Sequence, residues 1–304
     1  MKRLLIPLLT LALSAVSGAA LAGNVQHAMG RTTTPDTPQR IVVLTTGGTE
    51  AVLALGIKPV GAANGRAVNA RGSVWYAHVA DRLDGVEPLG EERAVNLEQI
   101  AALEPDLILG NRQRHEGVYD QLSAIAPTVL SNRLRGDWRK NFELYAEALG
   151  RKDEGAAVLA AFDKRVAELS DALGAQKDET LSVIRFMPGQ IRIYQRDSFS
   201  GDVLARLGIA RPELQQEDSF VLKVGKESIP DMDGDRLVHF TYESGDGKAT
   251  ALARDIASDP LWQSLKAVQA VSVHAVDDVI WNTAGGILAA ERMLDDVAKI
   301  YGVD

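Results

Sequence analysis

The chain contains no cysteine. That excludes disulfides, thiolate metal ligands, a cysteine nucleophile and, by expectation, a thioether-linked lipid at any processing site. Histidine is scarce as well. His27, His78, His115, His239 and His274 are scattered, with no H-x-x-x-H pair among them. A zinc or iron ion ligated by protein side chains is therefore not expected. No G-x-S-x-G elbow, no G-x-x-x-x-G-K-[ST] loop and no G-x-G-x-x-G turn occurs, which removes the commonest signatures of hydrolases, nucleotide triphosphatases and dinucleotide enzymes. Positive charge is also in deficit, at a formal net charge of −8. Such a chain is a poor partner for nucleic acid or anionic lipid.

The one long apolar run is at the start, in MKRLLIPLLTLALSAVSGAALAG. Lys2 and Arg3 form a positive region, an apolar stretch follows to Val16, and Ala20-Leu21-Ala22 is an A-x-A site. This is the pattern of a signal peptide over residues 1–22, cleaved after Ala22. With no later spanning segment and no cysteine, the expectation is a soluble periplasmic protein without a lipid anchor.

Downstream, strand and helix signals alternate. QRIVVL (39–44) reads as a buried strand, and TTGGT (45–49) leads into a helix stopped by Gly56. Further strands are expected at 60–63, 106–109 and 128–130, with helices at 95–103 (Asn96 as N-cap) and 115–125. That alternation indicates βαβ units on a mostly parallel sheet. Residues 137–174 carry no strand signal. Within them Leu159, Phe162, Val166, Leu169 and Leu173 repeat at 3,4,3,4 spacing, one face of a helix long enough to bridge two lobes. Strands resume at 181–186, 190–194, 236–240, 271–274 and 279–281, with helices at 200–207 and 286–301. The expected organisation is thus an N-terminal α/β lobe (23–150), a bridging helix (151–174) and a C-terminal α/β lobe (175–304).

A short internal repeat links the halves. VLALGI precedes NLEQIAALEPDLIL in the first, and VLARLGI precedes GKESIPDMDGDRLVH in the second. Without a gap, Glu98 aligns with Glu227, Ile100 with Ile229, Leu103 with Met232 and Asp106 with Asp235.

Against the acidic background, Arg112 and Arg114 stand out, because they follow a strand's carboxyl end and precede a helix. Ligands of open α/β sheets bind there, and a guanidinium pairs bidentately with carboxylates. The second half adds Arg185, Arg192 and Arg196, while Trp75, Tyr76, Phe199, Tyr242 and Trp281 place aromatics at corresponding loops. Arginine plus aromatic at the facing edges of two lobes suits a bulky polyanion with some apolar surface. A solvated loop is the alternative for Arg112 and Arg114, but their place at a strand's end in an acidic chain favours a ligand. For any single aromatic, core packing is the simpler reading, and the set is worth more than its members. Glu98 and Glu227 near helix starts suit the helix dipole, and also a partner of two-fold symmetry with basic pockets.

PQRIVVL, ALGIKPVG, NLEQIAALEPDLIL, RHEGVYDQLSAIAPTVL, DPLWQSL and GGILAAERML, in that order, resemble the periplasmic substrate-binding proteins of iron-siderophore and cobalamin ABC importers. RHEGVY with GILAAER is most similar to the ferric-citrate-binding branch. The resemblance implies two Rossmann-like lobes bridged by a single long α-helix, the class III architecture, and a monomer with no enzymatic activity. It implies capture of an Fe(III)–siderophore of citrate or carboxylate type, with iron held by the siderophore and no cofactor of the protein's own. Ligand contacts would fall to Arg112, Arg114, Arg185, Arg196, Trp75, Phe199, Tyr242 and Trp281, with Arg66 and Arg192 less closely matched. Glu98 and Glu227 would dock on arginines of the dimeric permease. Haem, cobalamin or a catecholate siderophore are alternative ligands, and a secreted two-lobed α/β enzyme is the rival from another class.

Overall fold

The computed structural model describes residues 23–65, 73–243 and 245–303. The expected signal peptide and Arg66 lie outside the described residues. A hairpin comes first, β1 (Gly23–His27) paired with β2 (Gly30–Thr34). The first lobe is then built on β3 (Ile41–Val43), β4 (Gly61–Ala62), β5 (Glu87–Pro88), β6 (Leu107–Asn111) and β7 (Thr128–Ser131). They lie in the order β5-β4-β3-β6-β7, every pair parallel. Helices α1 (Thr46–Ala54), α2 (Leu97–Ala102), α3 (Arg112–His115) and α4 (Tyr119–Ile125) lie along its connections.

Helices α5 (Trp138–Ala148) and α6 (Lys152–Leu173) follow. The 3,4 spacing in α6 does what its periodicity implies: Leu159, Phe162, Val166 and Leu173 are buried. Asp153 and Glu154 in the first turn favour the helix dipole, and 22 residues span ~33 Å. The helix leads into the second sheet.

That sheet contains β8 (Leu181–Met187), β9 (Gln190–Tyr194), β10 (Val221–Val224), β11 (Arg236–Thr241) and β12 (Val273–Ala275), in the order β10-β9-β8-β11-β12. Helices α7 (Phe199–Leu207), α8 (Lys248–Ala257), α9 (Pro260–Gln263), α10 (Lys266–Gln269) and α11 (Ile287–Tyr301) complete the lobe. The expected strand at 279–281 is instead a π-helical turn, Val279–Thr283. Val-Ile-Trp has strand character locally, but burial of Ile280 and Trp281 under neighbouring helices decides the conformation.

Alternation along the strands sorts the core. Ile41, Val43, Leu107 and Leu109 join Leu181, Val183, Val238 and Phe240 in one apolar cluster with α5, α6, α7 and α11. Opposite faces pack within their own lobe: Val42, Leu44 and Ile108 against Ile100 and Leu122, and Ile184, Phe186 and Ile193 against Ile229 and Trp262. The two lobes therefore share a core. The repeat positions perform equal tasks in both lobes. Ile100 and Ile229 are fully buried. Asp106 accepts the Gln39 and Arg40 backbone N–H groups at 2.7 and 2.9 Å, at the entry to β3. Asp235 accepts from the backbone N–H and Oγ1 of Thr180, both at 2.8 Å, at the entry to β8.

Candidate functional site

A cleft of about 600 Å³ opens between the lobes, bounded by the carboxyl ends of both sheets. The first lobe contributes the turn from β3 into α1. Thr45 caps that helix by accepting from Gly48 N–H at 3.1 Å. Gly47 follows, where a Cβ would stand 2.7 Å from the Gly285 carbonyl oxygen of the other side. Backbone meets backbone here, which explains glycine at this position better than any turn requirement. Thr46 Oγ1 donates across the same seam to the Ala284 carbonyl at 3.2 Å.

Among the described residues, five arginines line the cleft: Arg93, Arg114, Arg135, Arg185 and Arg192. Arg114 Nε donates to Glu92 Oε2 at 3.2 Å, and Glu92 Oε1 accepts from Thr46 N–H at 2.8 Å, at the start of α1. His115 fixes the Glu92 loop. Its Nδ1 accepts from Asn111 N–H at 3.0 Å, so Nε2 carries the proton toward the Glu92 carbonyl at 2.9 Å. Burial lowers the His115 pKa, its bonds to Glu92 only partly opposing that, and keeps the ring neutral.

Arg185 is bound more tightly. Its Nε and Nη2 meet both oxygens of Asp278 at 2.5 and 2.7 Å, Nη2 also donates to Thr283, and the guanidinium lies 4.6 Å from the Tyr242 ring centroid. Burial alone would depress its pKa, but Tyr194 and Asp278 outweigh that and shift it upward. Arg135 approaches from the first lobe and stacks on Phe220 at 4.3 Å. Arg192 Nε is buried and has no hydrogen-bond partner.

The structure brings Arg114, Arg185, Phe199 and Tyr242 together on the cleft wall, and Arg192 with them. It does not bring Arg112, Arg196, Trp75 or Trp281 there. Arg112 and Arg114 are two apart on a helix, so they project to different sides, and Arg112 faces solvent. Arg196 is exposed beyond the end of β9. Trp75 packs beneath the cleft edge with Leu53, Ala62, Val79 and Leu83, leaving its neighbour Tyr76 to line the wall. Trp281 is fully buried and donates Nε1–H to Asp296 at 2.9 Å. Asn282 and Thr283, next in the chain, reach the cleft instead. Glu98 and Glu227 are both exposed in the first turns of their helical segments.

Sequence reasoning missed Arg93, Arg135, Trp138 and Phe220, which also line the wall. Arg135 alone carried a signal, as a large residue at the Gly136 turn before an amphipathic helix.

Comparison with known proteins follows the same lines. A periplasmic binding protein profile matches residues 41–279. A Bacillus subtilis relative is 50% identical over 287 residues, covering 91% of this chain and 87% of its own; it is named "Probable siderophore-binding lipoprotein YfiY". The Escherichia coli Fe(3+) dicitrate-binding periplasmic protein FecB is 31% identical over 287 residues, covering 93% of this chain and 91% of its own. Among solved structures, Staphylococcus aureus SirA complexed with staphyloferrin B has a TM-score of 0.84 at 30% identity, covering 92% of this chain and 99% of that one. The first of these names corrects an expectation. A relative half identical in sequence is a lipoprotein by name, which overturns the soluble, unanchored localisation expected from the lack of cysteine.

Proposed function

The chain belongs to the periplasmic binding protein family and has its class III architecture of two α/β lobes joined by one long helix, and on that premise we propose that it binds a ferric siderophore for delivery to an ABC importer. It is a binding protein, not an enzyme. One observation carries the ligand class. Within a cleft roughly half apolar in its lining, Arg93, Arg135 and Arg192 have no carboxylate partner among the described residues. Uncompensated guanidinium groups in a partly dry cleft attract an anion and pair with its carboxylates through their planar forks. Tyr76, Phe220 and Tyr242 supply flat apolar surface beside them.

We assign the ligand to the citrate or carboxylate type. The name of the FecB relative and the staphyloferrin B bound to SirA support that choice. Haem and cobalamin would use this charge less fully, and a catecholate complex, though anionic on iron, would offer no free carboxylate to the guanidinium forks. Iron enters as cargo, held by its chelator. Among the described residues no group of three or more His, Asp or Glu side chains is placed to hold a metal. Glu98 and Glu227, at equivalent places in the two lobes, are proposed to dock on a permease dimer, with the protein acting as a monomer.

The test is a titration of residues 23 onward with ferric citrate and with iron-loaded carboxylate, hydroxamate and catecholate siderophores, following tryptophan fluorescence. Trp138 lines the cleft and reports occupancy. Saturable quenching at micromolar concentration or below by a carboxylate complex is expected, weakened at least tenfold in Arg114→Ala/Arg192→Ala. Silence toward every ferric complex would sink the reading.

A further inference from the structure

A side pocket of about 550 Å³ opens off the cleft, with Arg135, Arg192 and Phe220 on the wall common to both spaces and Lys223 lining only the side pocket. We propose that this pocket is a second anion subsite, which receives a carboxylate-bearing arm of the bound chelate. The proposal deepens the ferric-siderophore reading and rests on it.

The argument starts from the sheet. On β8, β9 and β10, Arg185, Arg192 and Lys223 are direct cross-strand partners. Three cations in one row repel, and directly opposed like charges destabilise a sheet. Asp278 neutralises the first through two hydrogen bonds. For the other two, no carboxylate partner exists among the described residues, and Arg192 Nε is buried without an acceptor. A buried donor left unmet costs more than a typical hydrogen bond returns, so the row is incomplete without an anion.

Arg135 reaches the same pocket from the other lobe. Its φ of 77° lies in the left-handed region, although Gly136 is adjacent and would adopt it freely. Strain of this kind persists where surroundings over-determine it. Here the guanidinium carbon lies over Phe220, 4.3 Å from its centroid, and its N–H groups have no hydrogen-bond acceptor among the described residues.

The acids of the pocket do not cancel these charges. Asp197 is already held by Arg133 through two bonds at 2.6 and 2.8 Å. Asp218 sits exposed on the chain near the pocket's rim and sets a limit, favouring a single carboxylate over a more highly charged group. Because Arg135, Arg192 and Lys223 line this one pocket, a planar carboxylate entering it would meet two guanidinium forks and an ammonium.

The test uses three probes: ferric citrate, a ferric citrate derivative bearing an amide-linked succinate arm, and the methyl ester of that arm. Wild type is expected to bind the acid-armed chelate about tenfold more tightly than the ester, the size of one charge-assisted hydrogen bond. Lys223→Gln, an exposed substitution, should cut that preference severalfold and leave ferric citrate affinity unchanged, while Arg192→Gln abolishes the preference. Equal binding of acid and ester by wild type overturns the subsite alone, as does a Lys223→Gln variant that weakens all three probes equally. No binding of any probe by wild type overturns the chelate reading itself.

Discussion

The two lobes carry the same strand order by different routes. In each, the first strand (β3 or β8) lies between the second and the fourth, so the topological switch falls beside it. In the first lobe every strand is parallel, and the cleft is served from beyond the sheet, by Arg93 on a loop and Arg114 on the short helix α3. In the second, β9 turns back on β8 as a hairpin and runs antiparallel between β8 and β10. That reversal lays Arg192 alongside Arg185 and sets charge on the sheet itself. Equal topology thus produces two kinds of wall: one built from residues beyond the strands, the other fixed by strand register.

Removing what the lobes share breaks the comparison most severely. Phe162→Ala, at the fully buried middle of α6, is expected to cost ~3–5 kcal/mol. Because one apolar cluster spans both lobes, circular dichroism and tryptophan fluorescence should lose signal in one urea transition. Two separate transitions would show the lobes to be independent.

A second pair of substitutions sharpens the contrast between walls. Asp278→Asn strips the counterion from Arg185, whose side chain is only 6% exposed, and should cost about 3 kcal/mol. Glu92→Gln does the same to Arg114 in the looser wall, at 23% exposure, and should cost about 1 kcal/mol. Equal losses by urea titration would erase the distinction.

The smallest effect concerns pH. His115 stays neutral in the fold because burial lowers its pKa, whereas the unfolded chain takes up a proton at the ordinary histidine value of about 6.5. The unfolded state therefore binds more protons below that pH, and stability falls as pH drops from there toward the lower, folded-state pKa. His115→Gln should remove up to ~1.4 kcal/mol per pH unit from that slope. An unchanged slope would mean that His115 is already charged in the fold.

Much of this fold was legible because burial writes periodicity into a chain. The 3,4 spacing around Phe162 announced α6, and the paired NLEQI and GKESI segments announced the duplicated lobes. The site was read less well, because its wall gathers single residues from distant loops with no repeating pattern. Arg112 and Arg114 looked alike in sequence, and only helix geometry separates them. Trp281 looked like a ligand contact because an aromatic near a glycine-rich loop carries no mark of which way it faces. The strands that bear Arg185 and Arg192 were read, but the third strand of the cation row, Val221–Val224, is too short and half-buried to announce itself.

Helix α11 follows every other described element of the second lobe, yet it packs on α1 and α6 as well as on its own lobe. Its first turn is capped from the other side, where Glu50 Oε2 accepts the Ala289 N–H at 2.8 Å and Oε1 meets His78 at 2.7 Å. A helix that follows every other described element in the chain thus finishes the first lobe. A chimera that grafts a foreign C-terminal half onto this N-terminal half must keep α11 native, or it leaves the buried Glu50 carboxylate without one of its two partners. The unit of exchange in this molecule is set by what packs together, and the order of the chain does not respect it.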